Sequence, residues 1–252
     1  MSTASIRRGA VVCAALLACV GTTAVAEEWQ HAVAVYMVGA SIDGTAGIGD
    51  VTAEVDVSFG DILDNLEFGA MAAYRGERGR WAVMADLIYM SLEQDKDGLG
   101  PLGRTRATVE ADQLITELDG SYAISERLDT YAGMRYWRLD TDLEVVGGGP
   151  LGETLSASMT EDWIDPVVGL RYVMPLGAGW ELVTRGDIGG FGVGSDFAWH
   201  ATAYAGWQVA ENGTIMLGFR YLDVDYDSGS GSNRFRWDVT EGGPTAGFAW
   251  RF

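Results

Sequence analysis

Polar and apolar positions alternate with a period of two through most of the chain beyond residue 28. Phe68, Ala70, Ala72 and Tyr74 interleave with Gly69, Met71, Ala73 and Arg75. Trp81, Val83, Ala85, Leu87 and Tyr89 interleave with a set that includes Asp86, and the chain ends with Ala246, Phe248, Trp250 and Phe252 between Gly247, Ala249 and Arg251. Period two is the signature of a strand, because successive side chains of an extended backbone point to opposite faces. The pattern predicts ten strands, at 29–41, 67–75, 80–93, 105–123, 129–146, 160–174, 179–190, 197–209, 213–226 and 234–252. Their connections alternate in length. The short ones are Gly76–Gly79, Ser125–Leu128, Pro175–Ala178 and Ala210–Asn212; the longer are Ile42–Glu67, Gln94–Arg104, Gly147–Met159 and Asp227–Asn233, with 191–196 a shorter member of the second set.

A water-soluble sandwich buries its apolar face, whereas a barrel in a membrane turns that face to lipid and lines its interior with the polar one. Two features favour the inverted arrangement. Large aromatics sit near strand ends, as in an interfacial girdle: Trp81, Tyr89, Tyr136, Tyr172, Trp199, Trp207 and Tyr221. The opposite faces carry small or charged residues rather than the branched aliphatics of a sandwich core. The expected fold is therefore all-β, an antiparallel transmembrane β-barrel of ten strands, with eight as the alternative. An even number returns both termini to one rim, with short turns there and longer loops on the other.

The first 26 residues read as a secretory leader to be cleaved after Ala26: Arg7 and Arg8, an apolar run from Ala10 to Val20, then Ala24-Val25-Ala26. Cys13 and Cys19, the two cysteines, both fall within it, so the remainder is expected to hold no disulfide. Leu16-Leu17-Ala18-Cys19 imitates a lipoprotein cleavage box, but Leu17 fits such a box poorly. Thirty-six acidic residues against seventeen basic ones, a formal charge of −19, argue against binding nucleic acid. Aromatics at 11% set the chain apart from disordered acidic sequences.

Gly-x-Arg-Tyr occurs three times, at 133–136, 169–172 and 218–221, which places Arg135, Arg171 and Arg220 on one strand face and the tyrosines on the other. With this repeat and the aromatic end at Phe248, Trp250 and Phe252, the sequence resembles the opacity-type outer-membrane barrels of Gram-negative bacteria, whose usual strand count is eight. The resemblance implies an outer-membrane location, contact with lipid and lipopolysaccharide, and a C-terminal strand read by the barrel-insertion machinery.

If the aromatic face meets lipid, the inward set includes Asp86, Glu117, Asp119, Arg135, Asp165, Arg171, Glu181, Arg185, Asp187 and Arg220. Unpaired charges away from water are costly, so these are expected to pair across a narrow lumen as an internal plug. The rival expectation is a narrow, cation-preferring pathway, because carboxylates outnumber guanidiniums in this set. Within the first long connection, Phe59, Ile62, Leu63 and Leu66 fall at helical spacing and predict a short helix at the barrel mouth.

Candidate chemistry is sparse. His31 reads as a rim residue. His200 follows Ser195-Asp196 and invites comparison with Asp–His or Ser–His hydrolytic pairs near an outer rim, although a separation of four positions keeps Asp196 from direct contact along a strand. Glu93-x-Asp95-x-Asp97-Gly98 opens like a calcium loop but has Arg104 at the twelfth position, where such loops need glutamate. Residues 189–194 are glycine-rich without a nucleotide-binding fingerprint. The expectation is a non-enzymatic outer-membrane barrel with an envelope-structural or surface role, without metal or cofactor and with an unknown loop partner. The alternatives are the cation channel and, behind it, a lipid- or peptide-acting hydrolase.

Overall fold

The computed structural model describes residues 28–99, 105–146 and 154–252. The leader, its cysteines and the tips of two long connections lie outside these residues. The described chain is almost entirely β: β1 (Gln30–Val38), β2 (Ser41–Ile48), β3 (Val51–Val57), β4 (Leu66–Arg78), β5 (Trp81–Leu99), β6 (Thr105–Ala123), β7 (Leu128–Val146), β8 (Thr154–Gly177), β9 (Trp180–Gly189), β10 (Phe197–Gln208), β11 (Gly213–Ser228) and β12 (Phe235–Arg251), with one helix, α1 (Phe59–Asn65).

Ten of these strands, β1 and β4 to β12, form an antiparallel barrel that closes where β1 meets β12. The seam aligns Val35 with Phe248 and Val33 with Trp250. His31 and Phe252 exchange backbone hydrogen bonds of 3.1 and 2.9 Å, so the C-terminal aromatic residues complete the wall. His31 lies at this end of the barrel, its ring stacked near Trp29, Tyr74 and Phe252 and its Nδ1 2.8 Å from the Tyr74 hydroxyl.

Two features depart from the strand pattern read in the sequence. The segment 42–67 is not one loop: β2 and β3 form a hairpin outside the barrel, and β2 continues the sheet by pairing with the upper part of β12, Phe235–Gly242. Several barrel strands also run further than expected, β5 to Leu99, β8 from Thr154 and β11 to Ser228. These extensions are mostly polar or small, Gln-Asp-Lys-Asp-Gly at 94–98 and Thr-Leu-Ser-Ala-Ser at 154–158, so hydrophobic periodicity does not reveal them. The segment that imitates the start of a calcium loop, Glu93–Gly98, falls on such an extension, where Asp95 accepts a hydrogen bond from Thr108 (2.6 Å) and pairs with Arg106.

The helix forms where helical spacing placed it. Ser58 caps it, its hydroxyl accepting from the Asp61 N–H (3.2 Å) while the Asp61 carboxylate accepts from the Ser58 N–H (3.1 Å). The Ser58 hydroxyl also donates to the Asp61 carboxylate (2.6 Å), and this bond, together with the one from the Ser58 N–H, lowers the pKa of that carboxyl. Of the predicted apolar face, Ile62 is buried inside the loop end of the barrel and Leu66 partly so, while Phe59 and Leu63 remain exposed.

Candidate functional site

Alternation sorts the side chains of every barrel strand into two sets. Outward positions carry Val35, Met37, Leu118 and Met134, each 60% or more exposed. Trp81, Tyr172, Trp207 and Tyr221 are exposed on the same surface, with Tyr89, Tyr136 and Trp199 partly so. Trp81 packs edge-on against Tyr122 at 4.8 Å and Trp180 stacks on Trp207 at 5.6 Å near the terminal end. An apolar belt around the whole circumference is far larger than the patches water-soluble proteins expose.

The inward side chains form three layers along the bore. Nearest the termini is a cavity of about 780 Å³. Asp129 accepts there from Arg75 (2.9 Å) and Arg171 (3.1 Å), with Glu77 on Arg75 and Glu181 3.5 Å from Arg251. Arg171 and Glu181, expected within one lumen network, thus belong to this wetter end, with partners that residue type alone did not single out.

The second layer is dry and ionic. Arg135, fully buried, donates through Nε to Glu117 (2.6 Å) and through Nη2 to Asp187 (2.8 Å). Arg185 pairs with Glu117 and with Asp119 (2.7 Å), donates to the Tyr131 hydroxyl (2.7 Å), and lies 4.2 Å over the Tyr131 ring. Beside this cluster Arg220 donates to Asp86 (3.1 Å) and to the Tyr36 hydroxyl (2.9 Å), which itself donates to Asp86 (2.5 Å). Seven of the ten inward charges meet here. Tyr36 and Tyr131, not anticipated from the sequence, supply hydroxyls that bridge acid and base; their inward register was the available signal.

Asp165 is the cross-strand neighbour of Arg135 on β8, yet its side chain takes other partners. It accepts from the Ser195 N–H (2.6 Å), the Ser195 hydroxyl (2.8 Å) and the Trp163 indole (3.2 Å), so a residue expected to join the charge network instead pins the β9–β10 connection to β8. The reason is local: β9 and β10 are the shortest strands of the last seven, and their connection folds back over the inner face of β8. Gly194 lies so close that a Cβ there would stand 2.5 Å from the Ile164 carbonyl.

His200 is also displaced from its expected place at the outer rim. It is buried in the bore, with Nδ1 3.0 Å from Asp187 and Nε2 2.8 Å from the Thr202 hydroxyl. Because an ionised Asp187 only accepts, Nδ1 carries the proton and Nε2 accepts from Thr202. Asp196 does not approach it; the Asp196 N–H donates to the Asp225 carbonyl (2.8 Å) and its side chain is exposed. An even position on β10 points inward, and that register decides the matter.

The third layer, toward the loops, is apolar apart from Gln113, which donates to Glu241 (2.6 Å) within it. Ile88, Ile115, Trp137, Leu139, Leu222, Val224 and Val239 pack together inside the barrel, with Ile42 and Ile62 joining from the connection above. Trp137 stacks on Trp163 (5.4 Å) and Trp163 on Tyr226 (4.0 Å), which joins β8 to β11 across the gap where β9 and β10 stop.

Among the described residues no group of three or more metal-ligating side chains comes together. Known protein families do not match this sequence, and no characterised protein resembles it at the sequence level. Solved structures do resemble it. The outer membrane protease OmpT of Escherichia coli matches with a TM-score of 0.55 at 10% identity, over 90% of this chain and 97% of that one. The chain has the fold of an outer-membrane β-barrel. Ail, the attachment invasion locus protein of Yersinia pestis, is matched with a TM-score of 0.41 at 12% identity, over 90% and 99% of the two chains. At such identities the outer-membrane barrel likeness concerns architecture alone.

Proposed function

We propose that this barrel sits in the outer membrane as a closed, non-catalytic element that seals its own bore and displays an acidic surface beyond the lipid. The observation that carries this reading is the stacking of an apolar layer on a dry ionic one. Ions would have to cross Arg135, Glu117 and Asp187, which are buried and mutually paired, and then the packed side chains of Trp137, Leu139 and Val224, where Gln113 and Glu241 are already bonded to each other. The excess of inward carboxylates that favoured a cation pathway is absorbed by Arg, Tyr and His partners. The hydrolase alternative loses support because His200 is enclosed beneath the apolar layer. The apolar belt and its aromatic residues suit lipid, the loop-end extensions lie where lipopolysaccharide headgroups would be, and Phe248, Trp250 and Phe252 would serve as the strand read during insertion. The Gly-x-Arg-Tyr repeat likens the chain to opacity-type barrels, with two strands more than their usual eight.

Single-channel recording of the refolded chain in planar bilayers tests the proposal. A folded barrel that gives no conductance steps is the expected result; stable steps altered by neutralising Asp86 or Glu117 would overturn it in favour of the channel.

A further inference from the structure

The β2–β3 hairpin leaves the sheet with an open side. β2 pairs with β12, β3 pairs with β2, and β3 has no second neighbour among the described strands. The hairpin turns through Gly49 and Asp50, with Gly49 at φ 62°, and closes on the pair Ile48 and Val51. In a two-residue hairpin the closing pair exchanges both hydrogen bonds, and bonded and non-bonded pairs then alternate. The N–H and C=O groups of Thr52, Glu54 and Asp56 therefore point away from β2. All three residues are exposed. The helix that follows does not cover them, because α1 packs against β5 and sends Ile62 into the bore.

Free edges are ordinarily blunted by lysine, proline or a bulge, since they invite another strand. β3 has no lysine and no proline, and its register with β2 is unbroken over seven pairs. The charge around it is one-sided: residues 41–66 contain Asp43, Asp50, Glu54, Asp56, Asp61 and Asp64 and not one Lys or Arg. A second copy of the same edge would bring these acids face to face, so self-pairing is opposed. A basic strand is attracted.

We infer that the β3 edge is a docking strand for an extended peptide segment with Lys or Arg at alternate positions, added to the sheet by main-chain pairing. Glu54 and Asp56 share one face with Asp43, their cross-strand neighbour on β2, and would meet the basic residues. Val55 and Val57 lie on the other face, against the apolar layer, and suit a β-branched residue between the charges. The inference rests on the loop end being the displayed end of a sealed barrel.

The test uses the refolded barrel in non-ionic detergent and a dye-labelled octapeptide of alternating lysine and valine, with fluorescence anisotropy as the readout. Saturable binding is expected. N-methylating alternate amides of the peptide keeps its charge and removes its donors, and should weaken binding about tenfold or more. Glu54→Pro, at an edge position whose N–H faces solvent, should do the same. Glu54→Gln with Asp56→Asn should weaken binding several-fold and reduce its salt dependence. Heat-shifted gel migration and bilayer recording of each protein report on the barrel separately, so a lost peptide does not disguise a lost fold or an opened pore. Equal binding of both peptides would overturn the inference in favour of charge alone. Absence of saturable binding, or a dimer of the unsubstituted chain that Glu54→Pro dissolves, would overturn it too.

Discussion

At the residue scale, one guanidinium organises the bore. Arg135 faces two carboxylates, Glu117 and Asp187, with no exposure to solvent. Replacing it by methionine fills the volume and leaves both acids without their shared counter-ion. Removing one partner of a buried ion pair typically costs about 3–5 kcal/mol. Arg135→Met is therefore expected to shift urea unfolding, followed by gel migration in vesicles, by that order, and an unchanged midpoint would show the layer to be dispensable. Outside the lipid-level segments, Asp227 makes the complementary case. Hydrogen bonds from Arg234, with Arg236 added, hold its carboxyl down at about 2. Because the folded value is depressed, this link between β11 and β12 is complete above the usual carboxylate range and is lost as pH falls toward 2. Carbon-detected NMR titration should find that low midpoint, and Arg234→Ala should return it toward the ordinary range.

At the element scale, the β2–β3 hairpin depends on a close approach. A Cβ on Gly44, whose φ is 151°, would stand 2.2 Å from the Asp238 carbonyl and 2.7 Å from the Val239 Cα. Gly44→Val is expected to detach β2 from β12 while the ten barrel strands keep their pairing. Amide exchange across Ile42–Val57 should rise about ten- to a hundredfold, the equivalent of about 1–3 kcal/mol of strain, with the barrel amides unaffected. The sequence pointed to α1 and to each barrel strand, because capping chemistry and period-two alternation are local. It did not point to the hairpin. Val51, Ala53, Val55 and Val57 do alternate with Thr52, Glu54 and Asp56, but the run is short, and β3 is ordered only through β2, whose own partner β12 lies nearly two hundred residues away.

At the scale of the whole molecule, two barriers lie in series along the bore. Trp137→Ala with Trp163→Ala thins the apolar layer alone and should leave bilayers silent, because the paired charges still fill the section beneath. Adding Glu117→Ala and Arg185→Ala should give measurable steps. Conductance from the two tryptophan substitutions by themselves would mean that the ionic layer does not close the bore. The two ends of the barrel also differ in charge. Acidic side chains crowd the strand extensions at the loop end, among them Asp112, Asp142, Asp162, Asp223 and Asp225, while the arginines Arg75, Arg80, Arg127, Arg171 and Arg251 gather around the terminal cavity.

Sequence alone determined the wall of this protein. Alternation divides the strands into an outward and an inward face, and Gly-x-Arg-Tyr sends Arg135, Arg171 and Arg220 to the inside. Those are consequences of backbone geometry, which repeats every two residues wherever a strand forms. Tertiary structure decided who meets whom within. Register makes Arg171 the cross-strand neighbour of Asp129 and His200 that of Asp187, while the fold-back between the short β9 and β10 brings Ser195 onto Asp165. Closure of the barrel also stacked Trp163 on Tyr226 and left β3 with its open edge, both products of pairings between distant segments that no local pattern encodes.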